Sequence, residues 1–289
     1  MALLLTSCGS SSDDKKSAKL LFESGFEEGV YLEEPYEEGG STWVQDIKGS
    51  DSSFSWPIKI WDSKGAFQVL VDSSVNSKEY IQNRIVTTKG HNGNPTRVMR
   101  SEVLKNDTSW TQDPYIIQDA TEQGDLYVKY WLKLPKNLAE RLGDGTKDDG
   151  WCTFFEWKTA GDYRVAVYVY VDEDKKPYWF VHGDNVANQN FTYKEYWSKE
   201  NRTVPVPEDK WFMVEFFWHR STQSDGRFWW AVNGKVVVDY HGANKIKKQI
   251  DRIMLFTVYA EKYPLRQEVD DIEIWNGFPC GEGKSCYHK

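Results

Sequence analysis

The stretch WCTFFEWKTAGDYRVAVYVY, Trp151 to Tyr170, decides the fold class. Apolar and polar positions alternate on both sides of Thr159-Ala160-Gly161, which predicts two long strands joined by a tight turn. Successive side chains on a strand point to opposite faces, so Glu156 and Lys158 share one face and Phe155 and Trp157 the other. The neighbouring strand continues the polar face with Arg164, Tyr168 and Tyr170. A cation, a carboxylate and tyrosines on one surface have the composition of a site, and a solvated sandwich face alternates in the same way. This stretch alone leaves both readings open.

Outward from it, strand signals recur nearly end to end, and helical periodicity is confined to Lys136 to Leu142. About fifteen strands with turn-rich connections predict an all-β, antiparallel two-sheet sandwich. Val232-Asn233-Gly234-Lys235 predicts a hairpin, because Asn-Gly tolerates the positive φ of a type I′ turn. Lys89 to Thr96, Gly143 to Gly150 and Asp184 to Asn201 are rich in Asp, Gly and Asn and read as long loops rimming one face. With no internal repeat and no second composition regime after residue 18, residues 19–289 read as a single domain and a monomer.

Aromatic residues make up 15% of the chain, with 14 Trp and 16 Tyr, which suits stacking on sugar rings, although both residues also favour strands. The net charge of −8 argues against nucleic acid or an anionic membrane surface as partner, and against a polyanionic substrate unless cations are focused in a cleft. Cys280 and Cys286 in FPCGEGKSCYH read as a small disulfide staple, in keeping with an oxidising compartment, and Cys152 as a buried, inert thiol. Asn-x-Ser/Thr sequons begin at Asn106, Asn190 and Asn201 and matter only in a eukaryotic secretory host. The first residues, MALLLTSC, hold an apolar run too short to span a bilayer, and Leu5-Thr6-Ser7-Cys8 resembles a bacterial lipobox. That resemblance implies lipid attachment at Cys8, a tether up to residue 18 and export to the outer membrane, cell surface or periplasm of a bacterium.

Several segments, in order, resemble the concanavalin A-like jelly-roll polysaccharide lyases. They are FESGFEEG (Phe22 to Gly29), RVMRSEV (Arg97 to Val103), FEWK (Phe155 to Lys158), FFWHRSTQSDGRFWWAVNGKVVVDYHG and the closing VDDIEIW. The resemblance covers most of residues 20–279 and implies a β-jelly roll with a concave cleft, opening and closing strands side by side, and β-elimination on a uronate polysaccharide. Where these lyases carry a Gln-x-His pair, this chain has Glu156 and Lys158. A lysine there resembles the ulvan-lyase branch, which places ulvan ahead of glucuronan and alginate.

Elimination across a uronate C4–O4 bond requires a neutralised carboxylate, a base for the C5 proton and an acid for the departing O4. The resemblance and the chemistry together nominate Arg100, beside Glu102, for the carboxylate. Lys158 is the nominated base, with neighbouring cations such as Arg164 lowering its pKa. Tyr259 is the acid, with Tyr168 or Tyr263 as substitutes. Glu156 is awkward, since a carboxylate beside Lys158 raises that pKa, and it reads as an ion-pair anchor. His182 and His219 are alternative bases or satisfied structural histidines. Glu268, Asp270 and Glu273 fit the ExDxxE spacing of retaining glucanases, which keeps a hydrolase open. Glu27 and Asp271 nominate a structural Ca2+ site tying the termini, or an ordinary acidic edge. A non-catalytic surface glycan-binding lipoprotein is the alternative to the enzyme.

Overall fold

The computed structural model describes residues 17–37, 43–58, 66–71, 81–104, 112–117, 125–142, 150–159, 163–185, 193–244, 252–260 and 265–288. The proposed lipidation Cys8, the sequons at Asn106 and Asn190, Tyr263 and the Ala160-Gly161 turn lie outside these residues.

The strands in chain order are β1 (Leu20–Ser24), β2 (Val30–Leu32), β3 (Tyr36–Glu37), β4 (Trp43–Val44), β5 (Ile47–Gly49), β6 (Ala66–Val71), β7 (Ile81–Lys89), β8 (Pro95–Val103), β9 (Gln112–Ile117) and β10 (Asp125–Lys133). After the short helix α1 (Leu138–Leu142) follow β11 (Trp151–Thr159), β12 (Tyr163–Val171), β13 (Pro177–Asp184), β14 (Glu195–Asn201), β15 (Trp211–His219), β16 (Arg227–Val232), β17 (Lys235–His241), β18 (Arg252–Ala260) and β19 (Leu265–Trp275). They form a two-sheet antiparallel jelly roll. The front sheet runs β14-β13-β12-β11-β18-β9-β6-β4-β3, and the back sheet β17-β16-β15-β10-β19-β8-β7. β1 pairs with β19, so the opening and closing strands lie side by side. A separate ribbon joins β2 and β5.

The apolar faces of the two sheets meet in one core. Phe155 stacks on Phe216 of the back sheet with ring centroids 4.0 Å apart, and Trp157 lies 5.1 Å from Trp218. Strict alternation fails at one point of β11: the register slips between Thr153 and Phe155, so Phe154 and Phe155 are both fully buried. Such a bulge disrupts the ladder locally. Back-sheet side chains meet two backbone carbonyls there, Tyr130 Oη donating to Phe154 O at 3.2 Å and Gln267 Nε2 to Thr153 O at 3.2 Å.

One loop expectation is corrected. Within Asp184 to Asn201, residues 195–201 form edge strand β14, paired with β13. Of its residues only Trp197 is buried, stacked 4.0 Å from Tyr240, so an edge strand solvated elsewhere carries no apolar alternation to read. β9 likewise lacked a recognised signal. The Asn233-Gly234 turn has φ of 46° and 75°, the type I′ signature.

Cys280 and Cys286 are bonded. Their segment caps the outer face of the back sheet, where Phe278 stacks 4.1 Å from Phe217. The buried Glu215 carboxylate there accepts Tyr127 Oη at 2.5 Å, the Cys286 amide at 2.6 Å and the Ser285 hydroxyl. Cys152 is fully buried, and burial pushes its thiol up to about 12.

Candidate functional site

Strand register arranges the outer face of the front sheet in rows that cross β11, β12, β13 and β14. One row is Lys158, Arg164, Asp184 and Glu195; the next is Glu156, Ala166, His182 and Ser198. Beyond the bulge come Thr153, Tyr168, Phe180 and Glu200, then Trp151, Tyr170 and Tyr178. Glu156, Lys158, Arg164, Tyr168 and Tyr170, expected to share a face, do so, and His182, the alternative base, lies on the same face with Asp184 and Glu195.

Arg164 is the hub. Its Nε lies 3.1 Å from both carboxylate oxygens of Asp184, its Nη2 3.0 Å from Asp184 Oδ2, and its Nη1 3.4 Å from Glu156 Oε1. Burial alone would lower the guanidinium, but Glu156, Tyr168 and Asp184 hold it above its ordinary range. Glu156, 2% exposed, is thereby explained as the ion-pair partner of a buried arginine. Lys158 sits opposite Arg164 in register and is half-buried; among the described residues it has no ion-pair partner.

His182 is 7% exposed and Tyr168 5% exposed. Nδ1 of His182 lies 3.3 Å from Glu195 Oε2 and Nε2 lies 3.0 Å from the Tyr168 hydroxyl; in the tautomer with its proton on Nδ1, Nδ1–H donates to Glu195 and Nε2 accepts from Tyr168. Burial is the largest influence on the imidazole, and with the Arg164 charge it lowers the pKa against the opposing pull of Asp184 and Glu195. The lowered pKa favours the neutral imidazole. Asp184 Oδ2 lies 3.1 Å from Nε2, placed to stabilise the imidazolium once a proton arrives. Burial raises the Tyr168 phenol well above its ordinary value, so it rests protonated.

Gly183, between His182 and Asp184, has its own reason. A Cβ there would lie 2.0 Å from Tyr163 Oη and 2.4 Å from Trp197 Nε1, the two partners of a 2.6 Å hydrogen bond beneath the site. Asp184, Glu195 and Gly183 escaped the sequence reading. The signal available was the alternation of His182 and Asp184 about a glycine in a strand, and Glu195 lay in what read as a loop.

The remaining nominees are elsewhere. Arg100 and Glu102 belong to β8 of the back sheet, whose residues Met99 and Val103 face the core, so both point to the opposite side of the sandwich. There Arg100 is held by Glu268, Nε at 2.8 Å and Nη2 at 2.5 Å, and Glu102 by Arg84 at 3.1 Å. The Arg-Ser-Glu strand thus does not contribute to this site. His219 ends β15 in the back sheet and meets Asp125 at 2.5 Å. Tyr259 stands opposite Thr153 in the front sheet, which puts its backbone in the row of Tyr168; its side chain is outside the described set. Glu268, Asp270 and Glu273 are on the back sheet and committed to Arg100, to Thr96 and the Asp271 amide, and to Lys129 and Trp275 respectively. Of the three, Glu273 lines a depression of about 370 Å³ with Lys129, Glu27 and Asp271, and neither Glu268 nor Asp270 joins it there to make a glucanase dyad.

Glu27 and Asp271 do approach each other. They flank Gly25 together with Asp270, whose carboxyl is pushed up to about 7 by burial and by the charges of Asp271 and Glu27. Asp271 pairs with His91 at 2.8 Å and Glu27 accepts the Thr96 hydroxyl at 2.6 Å. Among the described residues no group of three or more His, Cys, Asp and Glu is arranged to hold a metal ion.

Fold and face together define a jelly-roll sandwich with a Tyr–His–carboxylate cluster on its front sheet. No protein-family model matches the chain, and no curated protein matches it. Among solved structures, it is similar to an endo-beta-1,4-glucuronan lyase from the fungus Trichoderma reesei, at 10% identity over 69% of this chain and 91% of that one, TM-score 0.48. Alginate lyase Aly36B shares 14% identity over 61% of this chain and 80% of that one, TM-score 0.43. The binding domain of Paraclostridial Mosquitocidal Protein 1 shares 9% over 89% of this chain and 48% of that one, TM-score 0.47. Likeness at this level assigns no activity.

Proposed function

We propose that the protein cleaves a uronate-containing polysaccharide by β-elimination on the front sheet, with His182 as base and Tyr168 as acid. The observation that carries this is the 3.0 Å contact between the buried His182 imidazole, whose pKa burial lowers, and the buried Tyr168 phenol, whose pKa burial raises, on the outer face of the front sheet. Lys158, a cation without an ion-pair partner among the described residues, is available for the uronate carboxylate, in place of Arg100. Neutralising that carboxylate acidifies the C5 proton. His182 Nε2 takes the proton, the C5–H electron pair becomes the C4=C5 double bond, and the C4–O4 pair leaves on O4, which takes the Tyr168 proton. The imidazolium, stabilised by Asp184, returns its proton to the phenolate across their hydrogen bond, and the pair is reset.

The front-face cations do not form the broad cationic cleft that a polyanion substrate would favour, because Arg164 is matched by Glu156 and Asp184. Recognition of one carboxylate by Lys158 is therefore the working unit. Incubation with ulvan first, then glucuronan and alginate, should produce the short-wavelength ultraviolet absorbance of an unsaturated uronate; no absorbance with any uronate polymer would sink the lyase reading. In that event the partly exposed aromatics Trp151, Tyr170, Tyr178 and Phe180 support the second reading, a glycan-binding surface. Export as a lipoprotein anchored through Cys8 belongs to the same proposal. Cys8→Ser should move the protein from the membrane fraction to the soluble one, and unchanged fractionation counts against the anchor.

A further inference from the structure

The front face is graded. From the row of Arg164 to the row of Tyr170 is six residues along β12, about 20 Å at strand rise, and the chemistry changes completely over that span. At one end stand Lys158, Arg164, Asp184 and Glu195. At the other stand Trp151, Tyr170 and Tyr178, each partly exposed, with Tyr170 and Tyr178 5.9 Å apart and Phe180 5.0 Å from Tyr170. Beyond Tyr178 lies a depression of about 430 Å³ walled by Asp172, Glu173, Asp174 and Glu200. Its one lining cation, Arg202, lies 3.8 Å over the Tyr178 ring and pairs with Asp172 at 3.0 Å and Glu200 at 3.3 Å.

A uronate at this end would meet four carboxylates, while the nearby cations are already matched, Arg202 to Asp172 and Glu200 and Lys176 to Asp174 at 3.4 Å, so no free cation is offered to it among the described residues of this depression. A sugar without charge meets aromatic surface instead. We propose that the row Trp151, Tyr170 and Tyr178 is a subsite for an uncharged, equatorially linked pyranose that neighbours the uronate in the same polymer, a proposal that rests on reading Tyr168 and His182 as the point of cleavage. Equatorial substituents leave both faces of such a ring carrying only C–H bonds, and those faces pack on aromatic side chains. The substrate is then a mixed polymer, with its charged unit over the row of Lys158 and its neutral unit towards the β12–β13 hairpin. Tyr178 is the residue to change, because it belongs to the aromatic row and makes no contact with the Tyr168–His182 pair among those described.

Calorimetric titration of the full chain with xylohexaose and cellohexaose, and separately with hexamers of mannuronate and of glucuronate, tests this. At least one neutral hexamer should bind, and Tyr178→Ala should weaken it about five- to tenfold while leaving the charged hexamers unchanged. Tyr178→Phe keeps the ring and should keep the affinity, which separates a lost contact from a misfolded chain. Failure of both neutral hexamers to bind, or an equal loss for the charged ones, overturns the subsite. Absence of unsaturated product from every uronate polymer overturns the cleavage reading instead, and the titration still decides the aromatic row.

Discussion

His182 and Tyr168 are each tuned by burial, in directions that suit opposite roles. Because burial lowers the imidazole pKa, its neutral form persists as pH falls through the ordinary histidine range near 6.5. The acid limb of kcat/KM should accordingly lie below about 6.5. A limb well above 7 would point instead to an amine base such as Lys158, active only once it has lost its proton. The sign for stability is the same. The unfolded chain binds the proton more tightly, so the contribution of His182 is complete above about 6.5 and is lost as pH falls through the lowered folded value. Of the site residues, those on the alternating strands Trp151–Thr159 and Tyr163–Val171 were legible, because a period of two assigns a face without further information. Arg100 was not, since its local sequence says nothing about which sheet β8 joins. Glu156 was legible as an ion-pair anchor, and its partner is Arg164, which lies between Glu156 and Asp184.

Hairpins and bulges decide how far local sequence reaches at the scale of elements. The β16–β17 turn was readable from Asn233-Gly234 alone, and its positive φ values carry a quantitative consequence. Gly234→Ala should cost roughly 1–2 kcal/mol in chemical denaturation, from the left-handed conformation that an L side chain resists. The added Cβ also comes 3.3 Å from the Tyr287 ring, and an unchanged midpoint would deny that strain. The bulge at Phe154 was not readable, because two adjacent phenylalanines fit a buried strand as well as a bulged one. Its satisfaction by Tyr130 and Gln267 of the other sheet is a tertiary fact. β14 escaped for the opposite reason: it is an edge with one buried residue.

Over the whole molecule, β19 is the integrating strand. It pairs with β10 along its length and with β8 and β1 on the other side, so the acidic group Glu27, Asp270 and Asp271 sits where the two ends of the domain meet. If a structural Ca2+ relieves that crowding, adding calcium should raise Tm in wild type and not in Asp271→Asn, and chelation should reverse the gain. Equal melting with and without calcium would remove the ion from the account. The same topology separates the two outer faces, each with an arginine–carboxylate group, and among the described residues the Tyr168–His182 pair lies on the front one. The assay for unsaturated uronate therefore has its most direct form as a comparison of two variants. Tyr168→Phe should reduce the elimination rate by about 10² or more, the usual contribution of a positioned acid, while Arg100→Ala leaves it within about twofold of wild type. Retention of activity in Tyr168→Phe together with its loss in Arg100→Ala would contradict the account and place the chemistry on the opposite face of the sandwich.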